Sequence, residues 1–207
     1  MSNLVQASTE LLSPSASRAE GCYHLTGHRS HFPDPLPDKP RDAEKINDTL
    51  RTAIRRCAAA ELPWPLFVHG LQGRGKSCAG LCAFDKWGGW YITVTDFRDK
   101  MIFAQKHGGE RCHPQGFQPT VDELWVAVGL CHLFVLDELG MRSPPSGFEY
   151  EIVKRAADKR ENRPAIFISN HNLDALSVIY DARIVSRLAG GTVVHLKGPD
   201  RRIERKE

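Results

Sequence analysis

The chain of 207 residues has little of what would mark a membrane or secreted protein. No apolar run approaches the about 18 residues that suggest a membrane-spanning helix. Residues 1–30 do not show a basic start followed by an apolar core, so no secretory signal is expected. We therefore predict a cytoplasmic protein without a membrane partner.

Cysteine is also scarce, and the charge is nearly balanced. Six cysteines in a chain of this length are too few for a disulfide-dense scaffold, so we expect reduced thiols. A net charge of +3 is too small to indicate nucleic-acid binding by itself. With 41% hydrophobic and 26% charged residues, the composition excludes a wholly disordered chain, a coiled coil and a collagen. What remains is an ordinary globular protein.

The chain divides near residue 40. Residues 33–40 contain four prolines, which fix the backbone and remove hydrogen-bond donors. We predict that residues 1–40 form a flexible tail and that residues 41–207 form one folded core.

Short apolar strands alternate with helices along this core. The predicted strands are 66–69, 90–95, 133–136, 165–168 and 192–196. The predicted helices are 42–60, 75–84, 96–107, 121–128, 148–160, 173–179 and 181–188. Asp96 is the expected cap of the third helix, and Thr120 with Glu123 has the spacing of a capping box at the fourth. The pattern predicts an α/β fold with a five-stranded, mostly parallel sheet covered on both faces and no large lid domain.

Residues 70–77, Gly-Leu-Gln-Gly-Arg-Gly-Lys-Ser, match the phosphate-loop pattern G-x-x-x-x-G-K-[ST] in full. The glycines let backbone N–H groups face an anion, and the next helix adds the positive end of its dipole. Lys76 is expected to reach the β- and γ-phosphates of ATP, and Ser77 to ligate Mg²⁺. The predicted nucleotide-binding residues of this loop are Gly70, Gly73, Arg74, Gly75, Lys76, Ser77 and Cys78.

Two acids follow the apolar strand 133–136. Asp137 is expected to hold Mg²⁺, directly or through water, and Glu138 to polarise the water that attacks the γ-phosphate. Another apolar strand ends in Ser169 and Asn170. Asn170 could hydrogen-bond the γ-phosphate or the attacking water, or both residues could simply cap the turn that follows.

Arginines near the end of the core have two possible uses in an ATPase. Arg183 and Arg187 are four residues apart and share one helix face. One of them could reach a neighbouring subunit's ATP as an arginine finger, and Arg201 or Arg202 could sense the γ-phosphate in its own subunit. Alternatively, each of these arginines is ordinary surface charge.

In this order, the motifs resemble those of the DnaC/IstB family of AAA+ ATPases, the replicative helicase loaders and transposition helpers. The resemblance covers about residues 42–202. It rests on the phosphate loop, on Leu136-Asp137-Glu138-Leu139-Gly140, on Ile168-Ser169-Asn170 and on the pattern from Arg183 to Arg202. It implies a P-loop three-layer sandwich that binds ATP and Mg²⁺, with Asn170 as first sensor, Arg187 as arginine finger in a homo-oligomer and Arg202 as second sensor.

The resemblance also implies partners. The family's additional helix after the second strand, which binds single-stranded DNA, corresponds to 96–107. Basic residues cluster there and in the loop to 113, with Phe97 and Phe103 between them; such a mixture suits single-stranded DNA, but a solvated helix face is the alternative. Family members often carry Asp where this chain has Glu138, the usual AAA+ residue. They also usually have a folded N-terminal domain that grips the helicase, so any client must contact a short segment of 1–40 or the core.

The expected function is therefore ATP hydrolysis coupled to loading or remodelling of a replicative helicase on DNA. A transposition helper, an ATP-dependent switch without turnover, and a small-molecule kinase are the alternatives. The kinase would need a mobile arginine-rich lid, whereas the segment holding Arg142, Arg155, Arg160 and Arg163 reads as one helix. A zinc site is a weaker possibility, since four potential ligands lie within ten residues. These are Cys22, His24, His28 and His31.

Overall fold

A five-stranded parallel sheet forms the centre of the molecule. The computed structural model describes residues 23–25, 28–30, 48–109, 119–142 and 144–200. The strands are β1 (Tyr23–Leu25), β2 (His28–Ser30), β3 (Leu66–His69), β4 (Trp90–Thr93), β5 (Phe134–Leu139), β6 (Ala165–Ser169) and β7 (Thr192–His195). The helices are α1 (Asp48–Ala58), α2 (Lys76–Trp87), α3 (Val94–His107), α4 (Val121–Leu130), α5 (Gly147–Lys159), α6 (Leu173–Ile179) and α7 (Ala182–Ala189).

The strand order in this sheet is β4-β5-β6-β3-β7, and every neighbouring pair is parallel. The predicted fold class and the five predicted core strands are confirmed. Parallel pairing places the carboxyl ends of all five strands at one edge, where the phosphate loop leaves β3. The remaining strands, β1 and β2, pair antiparallel with each other near the start of the chain.

Side chains alternate between the two faces of the sheet and build two separate cores. Phe67 and Phe167 belong to the core beneath α3–α7. Leu66 and Val68 belong to the core beneath α1 and α2. Because successive strand residues point to opposite faces, this alternation produces a three-layer sandwich.

The helix starts show where local sequence signals were informative. Thr120 caps α4 and forms the predicted capping box with Glu123. The predicted cap of α3 is wrong: the helix begins at Val94, and the Thr93 side chain accepts a hydrogen bond from the Asp96 backbone N–H. The last residue of β4 that pairs with β5 is Thr93, opposite Asp137. The strand therefore ends two residues earlier than predicted, and Asp96 lies inside the first turn of α3. Residues 42–47 of the first predicted helix lie outside the described ranges.

A buried arginine ties several of these elements together. Arg160 follows α5 and is 1% exposed. Its guanidinium donates to carbonyl oxygens of the last turn of α4, of the turn before β5 and of the residue before β6. These acceptors are Val128, Gly129, Cys131, His132 and Pro164. Arg160 therefore supplies donors to carbonyls that α4 leaves unpaired at its end.

Two negative observations apply to the described part of the chain. Within it, the helices are too short or too polar to cross a membrane. It also holds no group of three or more His, Cys, Asp or Glu side chains placed to bind a metal ion together. The candidate zinc ligands Cys22, His24, His28 and His31 lie outside the described side chains, as does Arg202.

Candidate functional site

The phosphate loop is a glycine-dependent turn between β3 and α2. Gly70, Gly73 and Gly75 have φ values of 148°, 74° and 82°, which L side chains rarely adopt. A Cβ on Gly70 would lie 2.4 Å from the Leu196 carbonyl oxygen, and one on Gly73 would lie 1.7 Å from an Asp200 carboxylate oxygen. Conformation thus requires glycine at both positions, and at Gly70 the Leu196 backbone also leaves no space for a side chain.

Lys76 lies beneath this loop and is 7% exposed. Its Nζ donates to the carbonyl oxygens of Gly70 at 2.6 Å and Leu71 at 2.8 Å. These contacts hold the ammonium inside the curve of the loop. An anionic phosphate oxygen in the loop would be a stronger acceptor than a neutral carbonyl.

The segment after β7 supports the loop from outside. Arg74 donates from Nη1 to the Leu196 carbonyl oxygen at 2.9 Å, so this predicted nucleotide-binding residue has a structural contact. Asp200 contacts Gly73. Cys78 lies half-buried on the first turn of α2 and is not part of a disulfide.

The acidic pair lies at the carboxyl end of β5. Asp137 is 2% exposed and accepts hydrogen bonds from the Tyr91 hydroxyl at Oδ2 and from the Glu138 backbone N–H at Oδ1, the latter at 2.7 Å. Glu138 has a φ of 66°, and the pairing of β5 with β6 is irregular between Leu136 and Leu139. This bulge turns the Glu138 side chain toward a depression that it lines together with Arg142.

Tyr91 lies between the acidic pair and the helix that follows the phosphate loop. Its hydroxyl donates to Asp137, and its ring lies beneath α2, where a Cβ on Gly80 would be 3.3 Å from Tyr91 Cε2. Burial and the neighbouring Asp137 carboxylate raise the pKa of Tyr91, so its hydroxyl stays protonated. Of the two predicted Mg²⁺ ligands, Asp137 is therefore held by a neutral donor beneath the helix that carries Ser77.

Asn170 lies at the same edge of the sheet. His69 pairs with Ser169 in the parallel register of β3 and β6, so Asn170 is level with Gly70 at the start of the loop. Ser169 has a structural role, since its Oγ donates to the Leu139 carbonyl oxygen at 2.8 Å. Asn170 is half-exposed, and its Nδ2 lies 3.8 Å from the Met141 sulfur. Of the two polar residues, Ser169 is held by the neighbouring strand, whereas Asn170 is half-exposed beside the start of the loop.

The predicted arginine finger lies far from the phosphate loop of its own chain. Arg187 is on the last turn of α7 and pairs with Asp158 and Glu161 at the end of α5. α7 leads into Thr192, which pairs with Leu66 at the opposite end of β3 from the loop. Arg187 is thus held by acidic side chains, away from the phosphate loop of its own chain. Its rival Arg183 is exposed.

The basic helix α3 is only partly free to contact DNA. Arg98 donates to Asp99 and to buried Glu149, and Phe97 is 0% exposed in the core. The predicted aromatic contact of Phe97 with DNA is therefore excluded in this conformation. Lys106 on the last turn is exposed, and the half-buried Phe103 ring packs against His107. Arg111 and His113 lie outside the described residues.

Sequence reasoning missed two groups of side chains at this edge. Tyr91 belongs to no sequence motif. It alternates with Trp90 and Ile92 along β4, so it lies on the opposite face of the sheet, which packs on α2. His69 and His195 stack with ring centroids 4.5 Å apart, and burial, with His195 and Lys76, lowers the pKa of His69. The two histidines are neighbours because β3 pairs with β7, and this pairing cannot be read from the sequence.

Solved structures of replication proteins are similar to this architecture. DnaA from Aquifex aeolicus bound to AMPPCP gives a TM-score of 0.55 at 21% identity, covering 75% of this chain and 47% of that chain. DnaA bound to AMPPCP and single-stranded DNA gives 0.56 at 19% identity, covering 76% and 46%. The DnaC helicase loader gives 0.54 at 16% identity, covering 77% and 93%.

The chain thus spans about half the length of the two DnaA structures and nearly all of the length of the DnaC loader. No family model and no curated protein sequence matches it. The likeness is therefore one of fold: the architecture described above is shared with these DnaA and DnaC structures.

Proposed function

We propose that the chain binds ATP with Mg²⁺ and hydrolyses it. The observation that carries this proposal is that the phosphate loop and the acidic pair lie at the same carboxyl edge of the parallel sheet. The donor set fits Mg²⁺, because Ser77 and Asp137 offer hard oxygen ligands and the metal usually completes its shell with phosphate oxygens and waters. The AMPPCP bound to DnaA supports a nucleotide of this class.

The side chains divide the proposed reaction between them. The loop glycines admit the phosphates to backbone N–H groups, and Lys76 exchanges its carbonyl partners for phosphate oxygens. When bound, Mg²⁺ neutralises charge on the phosphates. Glu138 orients and polarises the attacking water, and Asn170 hydrogen-bonds that water or the γ-phosphate. Arg187 or Arg183, and Arg202 or Arg201, complete the sites in an assembled homo-oligomer.

We further propose that hydrolysis serves DNA replication initiation, through loading or remodelling of a replicative helicase. Two of the neighbours with this fold, DnaA and DnaC, are named for replication initiation and helicase loading. One of the DnaA structures holds single-stranded DNA, which supports a DNA partner for this chain. Exposed Lys106 on α3 is the described residue best placed for such a contact.

Replacing Lys76 by Ala should weaken ATP binding about tenfold or more, because a charge-assisted contact to phosphate is lost. Titration with a fluorescent ATP analogue measures the change. Lys86→Ala is the matched control, since Lys86 is an exposed lysine near the other end of the same helix. Equal affinities in the two variants, or no binding by the wild-type chain, would remove the proposed nucleotide site.

Single-stranded DNA should raise the steady-state ATPase rate, and Lys106→Glu should blunt that rise by several-fold at low salt, where backbone contacts are strongest. Lys86→Glu makes the same charge change on α2 and should respond like the wild type. A rate that no oligonucleotide changes would contradict the DNA part of the proposal, while leaving the ATPase part intact.

A further inference from the structure

The Tyr91 hydroxyl is a buried polar atom that packing alone does not explain. Tyr91 is 2% exposed in the core beneath α1 and α2. A phenylalanine would fill nearly the same volume without a polar atom to satisfy. The hydroxyl instead donates to Asp137, one of the two residues assigned to Mg²⁺.

Strand periodicity places Tyr91 and Asp137 on the same face of the sheet, beneath the helix that carries Ser77. In β5, Val135 points to the core beneath α1 and α2, so Asp137, two residues on, points the same way. Tyr91 pairs with Val135 in the parallel register and occupies the same face of β4. The face is covered by α2, whose first turn carries Ser77. The contact is therefore a product of the fold rather than of an accidental rotamer.

Two donors fix the Asp137 carboxylate. The Tyr91 hydroxyl donates its one proton to Oδ2, and the Glu138 backbone N–H donates to Oδ1 at 2.7 Å. Each carboxylate oxygen keeps a lone pair for a cation, so the two donors set the orientation in which Asp137 faces a metal ion.

We infer that Tyr91 is a positioning residue for Mg²⁺: its hydroxyl holds the Asp137 carboxylate in the orientation that the metal requires. Outer partners of this kind orient metal ligands in many proteins, and their loss commonly costs 10- to 100-fold in metal affinity. The inference rests on the proposed nucleotide site and adds a residue to it. It requires no direct bond between Tyr91 and the metal.

The test is Tyr91→Phe, with Mg²⁺ titrated against binding of a fluorescent ATP analogue. Without Mg²⁺, the variant should bind the analogue as the wild type does, because the phosphate loop and Lys76 are unchanged. With Mg²⁺, the half-saturating metal concentration should rise about tenfold. Tyr180→Phe is the matched control: it removes another buried hydroxyl at the end of β5, one that accepts from the Gly140 backbone N–H at 2.9 Å. This control should keep the wild-type Mg²⁺ requirement.

Each outcome has one meaning. An unchanged Mg²⁺ requirement in Tyr91→Phe overturns the inference, and a lower one would show that the hydroxyl competes with the metal and also overturns it. An equal rise in both variants would indicate general loosening and counts against it too, with thermal unfolding as the independent measure of that loosening. If the wild-type chain binds no nucleotide at any Mg²⁺ concentration, the proposed function fails instead.

Discussion

Replacing Glu138 by Gln should leave ATP binding intact and reduce steady-state hydrolysis about 100-fold or more. Glutamine keeps the size and shape of the side chain but cannot accept the proton of the attacking water. At the proposed metal site, Asp137 is the buried residue and accepts the hydrogen bond from Tyr91. The Glu138 side chain is half-exposed. Binding and hydrolysis should therefore separate cleanly in this variant.

Two measurements check the Glu138 prediction: phosphate release over many turnovers and the affinity for a fluorescent ATP analogue. Glu151→Gln is the matched control, because Glu151 is exposed on α5. A Glu138→Gln variant that hydrolyses ATP at the wild-type rate would exclude Glu138 as the base. The Glu138→Gln variant, which is expected to bind ATP without hydrolysing it, is also the form in which to capture the client protein. Recovery of a transposase rather than a helicase would favour the transposition-helper alternative.

Replacing Arg160 by Met should destabilise the fold by about 3 kcal/mol or more. Met replaces the unbranched stem of the arginine side chain and removes every donor, so the carbonyl oxygens of Val128, Gly129 and Cys131 lose buried partners. Unfolding in urea measures the effect as a lower transition midpoint. The loss should appear without nucleotide, since Arg160 lies away from the phosphate loop.

Arg163→Met is the control for the Arg160 prediction. Arg163 also donates to the Gly129 carbonyl oxygen, at 2.8 Å, but it is exposed, so its loss should cost under about 1 kcal/mol. Arg160→Lys keeps the charge with fewer donors and should fall between wild type and Met. Equal midpoints for the two Met variants would show that the buried hydrogen bonds contribute little net stability.

The parts of the fold that could be predicted from sequence are those with local causes. The alternation of apolar strands with helices identified the parallel sheet, and residues 70–77 and Asp137-Glu138 are short runs whose chemistry is complete within the run. Arg160 could not be predicted, because an arginine at the end of an amphipathic helix is usually exposed, and only the packing of α5 against α4 buries it. Most of the carbonyl oxygens that accept from Arg160 belong to α4 and the turn after it, about 30 residues away in the sequence.

The position of Tyr91 near the phosphate loop could not be predicted from sequence either, because it also depends on the packing of distant elements. Tyr91 becomes part of the site only through the register of β4 with β5 and the packing of α2 on that face. The roles of Asn170, Arg187, Arg183 and Arg202 stay predictions, because each depends on a bound phosphate or on a neighbouring subunit. The sequence shows residue types at these positions, whereas their function depends on what approaches them.

The contacts of the loop with the segment after β7 bear on the order of events during synthesis. Arg74 reaches Leu196 across 122 residues of sequence, and β3 pairs on one side with β6 and on the other with β7. A nascent chain whose phosphate-loop sequence has left the ribosome therefore lacks both flanking strands and the outer support of the loop. The nucleotide binding proposed above is therefore expected to arise late in synthesis, after residues near 200 have emerged.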